Sequence, residues 1–282
     1  MIKQLPLMAF LLGTVALQCQ APKKKVSYTL PYDFEQPLRI MELQNDLVEI
    51  SGIAWWGKDT LVANEDEKGK IYFLNAKNGQ VIHKTNFGEK GDYEDIAVRK
   101  RKIFILKSNG DIFKVKDPLK EEAKAKKIDT ALSKDDDLEG LCYSKRKDRF
   151  LIGAKEHGEH KGKRVVYELK YDEDEIDDDP YLLINEDELM EIIHVKYGDR
   201  IGNNFKPSGL EFHPFTGELY VISAINRILA VFDTNKQLKE VIRLPKSYAH
   251  QAEGICFAPD GTMYLSSEGG EGKGKITELK MK

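Results

Sequence analysis

Several things are scarce or missing in this chain, and each closes off a function class. Cysteine is scarce, with three in 282 residues. No basic stripe interleaved with aromatics stands out, and a net charge of -3 comes from interspersed acids and bases. That is not the electrostatic footprint a nucleic-acid binder needs, so no nucleic-acid partner is expected. The N-terminal apolar run, Leu5 to Leu17, covers 13 residues, short of the roughly 20 that a membrane-spanning helix requires. No GxSxG nucleophile elbow is present. The glycine-rich stretch Gly269 to Ile276 mimics a phosphate loop, but it lacks Ser or Thr after the lysine and joins two expected strands.

What the chain does have is a repeat. Tyr93-Glu94-Asp95-Ile96-Ala97-Val98, Leu138-Glu139-Gly140-Leu141-Cys142-Tyr143 and Ala252-Glu253-Gly254-Ile255-Cys256-Phe257 each place a glutamate before an alternating apolar run. Two further copies, Ser51-Gly52-Ile53-Ala54-Trp55 and Ser208-Gly209-Leu210-Glu211-Phe212, carry serine in the acid's place. These marker residues lie 43, 45, 69 and 45 apart, and a period of about 40 to 50 with several short strands per unit is the mark of propeller blades. The expected fold is therefore all-β, a five-bladed β-propeller spanning residues 28–282 as one domain. The long third interval leaves too few extra residues for another four-stranded blade, so an acidic insertion around 172–193 is expected there, with a short helix over Glu186 to Ile193. Pro118 to Lys126 reads as a solvated excursion in blade two. The last blade is one strand short, and Leu38 to Leu43 stands before Ser51 where a fourth strand should, so the N-terminal strand is expected to complete the C-terminal blade and remove two exposed edges.

Residues 1–19 read as a signal peptide: Lys3 supplies charge ahead of the apolar run, and Cys19 follows it in Val15-Ala16-Leu17-Gln18-Cys19-Gln20. That context resembles a bacterial lipobox, making Cys19 the expected lipidation site and residues 20–27 a tether, with the membrane contacted through acyl chains alone. Gln18 departs from the usual small residue. The remaining cysteines, Cys142 and Cys256, occupy the same repeat position in copies that are not neighbours, so buried free thiols are expected.

In a propeller the first strand of each blade lines the central channel, so Glu94, Glu139 and Glu253 should converge at one mouth. Three carboxylates brought together repel one another, and a hard divalent cation, Ca²⁺ by ligand chemistry, would relieve that repulsion. The alternative is three separate acids bonded to backbone N–H groups. Ser51 and Ser208 are candidate neutral ligands, and Glu65, Asp66 and Glu268, with Asn64, follow second strands and are candidate channel-mouth residues. His157, Glu159 and His160 form a weaker constellation in a glycine- and lysine-rich loop, and Trp55 and Trp56 are expected to pack between blades.

These markers, with Asn64-Glu65-Asp66-Glu67-Lys68-Gly69-Lys70-Ile71-Tyr72 and the lipobox-like start, resemble the SdiA-regulated domain family of YjiK-like exported proteins, which is related to NHL-type calcium-bearing propellers. The resemblance covers roughly residues 28 to 282. It implies a five-bladed propeller with a calcium site, an envelope location and no established catalysis. The expectation is a lipid-anchored, monomeric envelope module that binds Ca²⁺ in its channel and presents the mouth to a small molecule or an envelope protein. The alternative is a metal-dependent hydrolase of lactonase, esterase or phosphatase type, which would need a base beside an open metal position.

Overall fold

Each of the five markers opens an antiparallel sheet. The computed structural model describes residues 30–282 apart from 131, 157–159, 171–174, 178, 199–200 and 203. Blade one consists of Ile50–Trp55, Thr60–Glu65, Lys70–Asn75 and Val81–Asn86, and blade two of Tyr93–Arg99, Lys102–Lys107, Ile112–Lys116 and Lys124–Ile128. Blade three is built on Leu138–Ser144, Arg149–Ala154 and Lys163–Lys170. Blade four is Gly209–Phe212, Leu219–Ser223, Ile228–Phe232 and Leu238–Arg243; blade five is Ala252–Phe257, Met263–Ser267 and Lys275–Leu279.

Strand patterning follows position in the blade. Thr60–Glu65, Leu219–Ser223 and Ile228–Phe232 are buried along their whole length, because both faces of a middle strand meet a neighbouring blade. Outer strands face water on one side, and Lys124–Ile128 carries three lysines on an exposed edge. This corrects the reading of 118–126 as an excursion: its last residues are strand, and lysine there keeps the edge from pairing with another chain. The core is accordingly divided into five apolar clusters, each shared by two adjacent blades around the ring. Each fully buried Leu, Ile or Phe contributes about 1.5–3 kcal/mol, so the ring is held by its inter-blade seams.

The sequence of the closure is as expected. Arg39–Glu42 pairs antiparallel with Lys275–Leu279 in the register Arg39↔Glu278 to Glu42↔Lys275. The chain just upstream adds a second fastening: the Tyr32 hydroxyl donates to Gly261 O at 2.7 Å and the Tyr248 hydroxyl to Phe34 O at 2.8 Å, which seats Leu30, Tyr32 and Phe34 in the seam between blades four and five.

The insertion does more than extend a loop. Leu182–Asn185 pairs with one half of Lys163–Lys170 and Glu175–Ile176 with the other, so residues inside 172–193 supply the outer strand of blade three in two pieces. The helix runs Glu186–Tyr197, four residues longer than expected, capped by the Asn185 side chain accepting from Glu188 N–H at 3.2 Å. Its Leu189, Met190 and Ile193 are buried in the seam between blades three and four, and Glu186 is anchored by Arg164 at 2.9 Å.

Candidate functional site

The inner strands meet at the axis at very short range, and this geometry sets the mouth. A Cβ at Gly209 would come 2.7 Å from Glu253 O, and one at Gly254 would come 2.8 Å from Ser51 O and 2.9 Å from Ile53 N. Only glycine allows backbone to lie against backbone there. In blade two Asp95 takes the glycine's place. Its carboxylate accepts N–H bonds from Ile96 at 2.7 Å and from Leu141 of blade three at 2.6 Å, so it fastens the two inner strands together.

Immediately before this close approach, strand register slips by one residue. The slip falls between Tyr93 and Asp95, between Leu138 and Gly140, and between Ala252 and Gly254, with a matching irregularity between Ile50 and Ile53. Glu94, Glu139 and Glu253 are thus the extra residues of β-bulges, and a bulge releases a side chain from the pleat and re-aims it. The two serines are committed differently. Ser51 Oγ donates to Glu94 O and Ser208 Oγ donates to Ala252 O at 2.7 Å, each tying its marker to the inner strand of the next blade.

The marker glutamates feel one another. Burial raises the Glu94 carboxyl to about 10, helped by Glu139 and Asp92. Burial also raises Glu139 to about 7 and, with the charges of Glu139 and Glu268, Glu253 to about 8. Lys155 stands among them: its ammonium pairs with Glu139, which is 6% exposed, and also acts on Glu253 and Glu94. Glu268 is raised by burial and by Asp66 and Glu49, and accepts a hydrogen bond from Gln251 Nε2 at 2.8 Å. Asp66 is pushed to about 6 by burial together with Glu49, Glu65 and Glu67. Acidic groups from blades one, two, three and five therefore lie close enough to act on one another, and Glu65 lies beside Asp66. Asn64 instead donates from Nδ2 to Tyr93 O at 2.6 Å, across the seam of blades one and two.

A donor set made of carboxylates suits a hard cation such as the calcium implied above. The three marker glutamates do not, however, form a tight cage. Among the described residues, one group of three potential ligands has its atoms all within 4.8 Å of one another: Glu49, Glu65 and Asp66. Lys155 occupies a place the sequence reading left to a metal.

Lys155, Asp95 and Glu211 were not singled out from the sequence, and each carried a signal in the repeat. Lys155 follows its second strand as Asp66 and Glu268 follow theirs. Glu211 stands at the small-residue position held elsewhere by Ala54, Ala97, Cys142 and Cys256; burial raises it to about 7, and its charge acts on both thiols. Cys142 and Cys256 are free and buried. Trp55 stacks on Tyr264 of blade five at 6.0 Å between ring centres, and Arg101 of blade two lies 4.4 Å over Trp56, so both rings seal seams. Cys19, the tether 20–27, His157 and Glu159 lie outside the described residues.

The model of the SdiA-regulated family matches residues 28–270, and the chain belongs to that family. No curated protein sequence matches it. Among solved structures it is similar to glutaminyl cyclase of Myxococcus xanthus, at 12% identity and a TM-score of 0.60 over 87% of this chain and 95% of the other. It is also similar to the PQQ-bound aldose sugar dehydrogenase of Streptomyces coelicolor, at 14% identity and a TM-score of 0.53 over 87% and 97% of the two chains. A luciferin-regenerating enzyme is similar at 10% identity and a TM-score of 0.53, over 86% and 95%. At these identities the likeness is one of propeller fold, which hosts many chemistries.

Proposed function

We propose that this member of the SdiA-regulated family is an exported, lipid-anchored binding module of the cell envelope. Its channel mouth takes a divalent cation, calcium by ligand chemistry, and presents the occupied mouth to a small molecule or an envelope protein. The observation that carries this reading is a charge excess. Glu94, Glu139, Glu253, Glu268 and Asp66 act on one another at a single mouth, and Lys155 is a cation that the four glutamates share. Buried like charges without compensation are unfavourable, so they are relieved by protons or by a cation. At neutral pH a hard cation with several oxygen ligands competes well against protons on these carboxylates.

Calcium titration of the full chain in detergent, by calorimetry and thermal melting, tests this. One equivalent of heat and a rise in melting temperature are expected, since a ligand that binds only the native state stabilises it. Neither heat nor stabilisation would remove the metal from the reading and leave the mouth as an acidic protein-binding face. Turnover of a lactone, ester or phosphate panel that EDTA abolishes would replace the binding module by a hydrolase.

A further inference from the structure

Two positions recur at the mouth end of each blade: the residue two before the marker and the residue just after the second strand. In blades two, three and five the backbone N–H of the second donates to the carbonyl of the first, from Ser108 to Asp92 at 3.2 Å, Lys155 to Asp137 at 2.8 Å and Glu268 to Gln251 at 3.0 Å. Their side chains are complementary. Ser108 donates to Asp92, Lys155 opposes Asp137, and Gln251 donates to Glu268. Blade four has Lys206 and Ala224, which holds no acid.

Blade one breaks the rule. Its pair is Glu49 and Asp66, acid against acid, and Glu65 joins them. Glu65 is 1% exposed. One of its oxygens accepts from Lys68 at 3.1 Å, while Oε1 is buried with no hydrogen-bond partner, as is Asp66 Oδ1. The Tyr72 hydroxyl, in the field of Glu65, is likewise buried without a partner. Glu49 is exposed to water, but the unpartnered oxygens of Glu65 and Asp66 are buried acceptors left unmade, which are expensive. Calcium holds oxygens at about 2.3–2.6 Å, so ligands on opposite sides lie about 5 Å apart. Oxygens all within 4.8 Å of one another fit around one such ion.

We infer that the mouth's divalent cation is held by Glu49, Glu65 and Asp66 of blade one, to the side of the axis, while Lys155 serves the marker glutamates. This rests on the reading that the mouth takes a cation, and it says where the ion sits. The ion would also brace the turn after Glu65, which docks on blade two through Tyr93 N–H to Asp66 O at 2.7 Å and Gly91 N–H to Glu67 O at 2.9 Å.

The test is calorimetric titration of Ca²⁺ into the full chain and into Glu65→Gln, Asp66→Asn, Glu94→Gln and Glu253→Gln, with melting of each in EDTA as a folding control. Wild type should bind one ion, Glu65→Gln and Asp66→Asn should weaken it at least tenfold, and the two marker variants should change affinity less than threefold. Asp66→Asn carries the test should Glu65→Gln melt early in EDTA, because Asp66 is only partly buried. If the marker variants lose the ion and the blade-one variants keep it, this placement is wrong and the axial reading stands. If wild type binds no Ca²⁺, the placement and the reading both fall.

Discussion

Without a bound cation the protein should lose stability as pH rises from 5 to 8. Glu139 is raised from the ordinary 4.5 to about 7, and it is 6% exposed. Between those values the folded state holds a proton that the unfolded chain has released, so the contribution is fully present below pH 4.5 and gone above about 7. Weighting the two titrations over that window gives a loss on the order of 2–3 kcal/mol between pH 5 and pH 8 from this one carboxyl. Glu253, raised to about 8, acts in the same direction to higher pH. For a domain of this size 1 kcal/mol is worth roughly 2 °C, so Glu139 alone should lower the melting temperature by about 5 °C. His213, held below its usual range by burial, works the opposite way. The cleanest assay is therefore the difference between wild type and Glu139→Gln, melted in EDTA by circular dichroism at half-unit pH steps. The wild-type curve should fall relative to the variant as pH rises. A difference independent of pH, or one of opposite sign, would show that Glu139 titrates like an ordinary carboxyl and refute the charge-excess argument. Saturating Ca²⁺ should raise both curves and leave their difference in place, because Glu139 is paired with Lys155 and is not among Glu49, Glu65 and Asp66.

Lys155→Met should destabilise the protein by roughly 2 kcal/mol at pH 8, since it leaves Glu139 buried without its partner, and by far less at pH 5, where Glu139 is protonated; chemical denaturation at the two pH values checks this. Gly254→Ala should cost on the order of 2–4 kcal/mol, because its Cβ would press on backbone atoms of Ser51 and Ile53 that cannot retreat. A chain begun at Gln44 lacks the strand Arg39–Glu42 and leaves the edge Lys275–Leu279 unpaired, and light scattering should find it aggregating where the full chain is not. Cys19→Ser should abolish incorporation of labelled palmitate and release the protein from the membrane fraction.

Blade number, strand order and ring closure were legible in the sequence because they are local or periodic. Ser51, Glu94, Glu139, Ser208 and Glu253 recur at a readable interval, and a missing last strand matches a surplus first one. Blade three was the hard case. Its outer strand is split between Glu175–Ile176 and Leu182–Asn185, each too short to show a period of its own, and it exists only because Lys163–Lys170 offers a long edge to both. Lys124–Ile128 was partly hidden for a related reason, since a solvent-facing edge strand rich in lysine has the composition of a loop.

At the site, the sequence by itself determined which residues stand at equivalent positions, because a repeat maps each blade's residues onto every other's. It put Glu94, Glu139 and Glu253 at one repeat position and Asp66 and Glu268 at another, and passed over Lys155, which follows the second strand of blade three in the same way. Only the tertiary structure decided how their charges are balanced. Lys155 is brought to Glu139 by a hairpin within blade three, and Glu49 to Glu65 and Asp66 by the pairing of Ile50 with Glu65. Charge balance depends on distances of a few ångströms between atoms that the repeat locates only to the level of a blade, and Coulomb energy in a buried mouth changes steeply over that range.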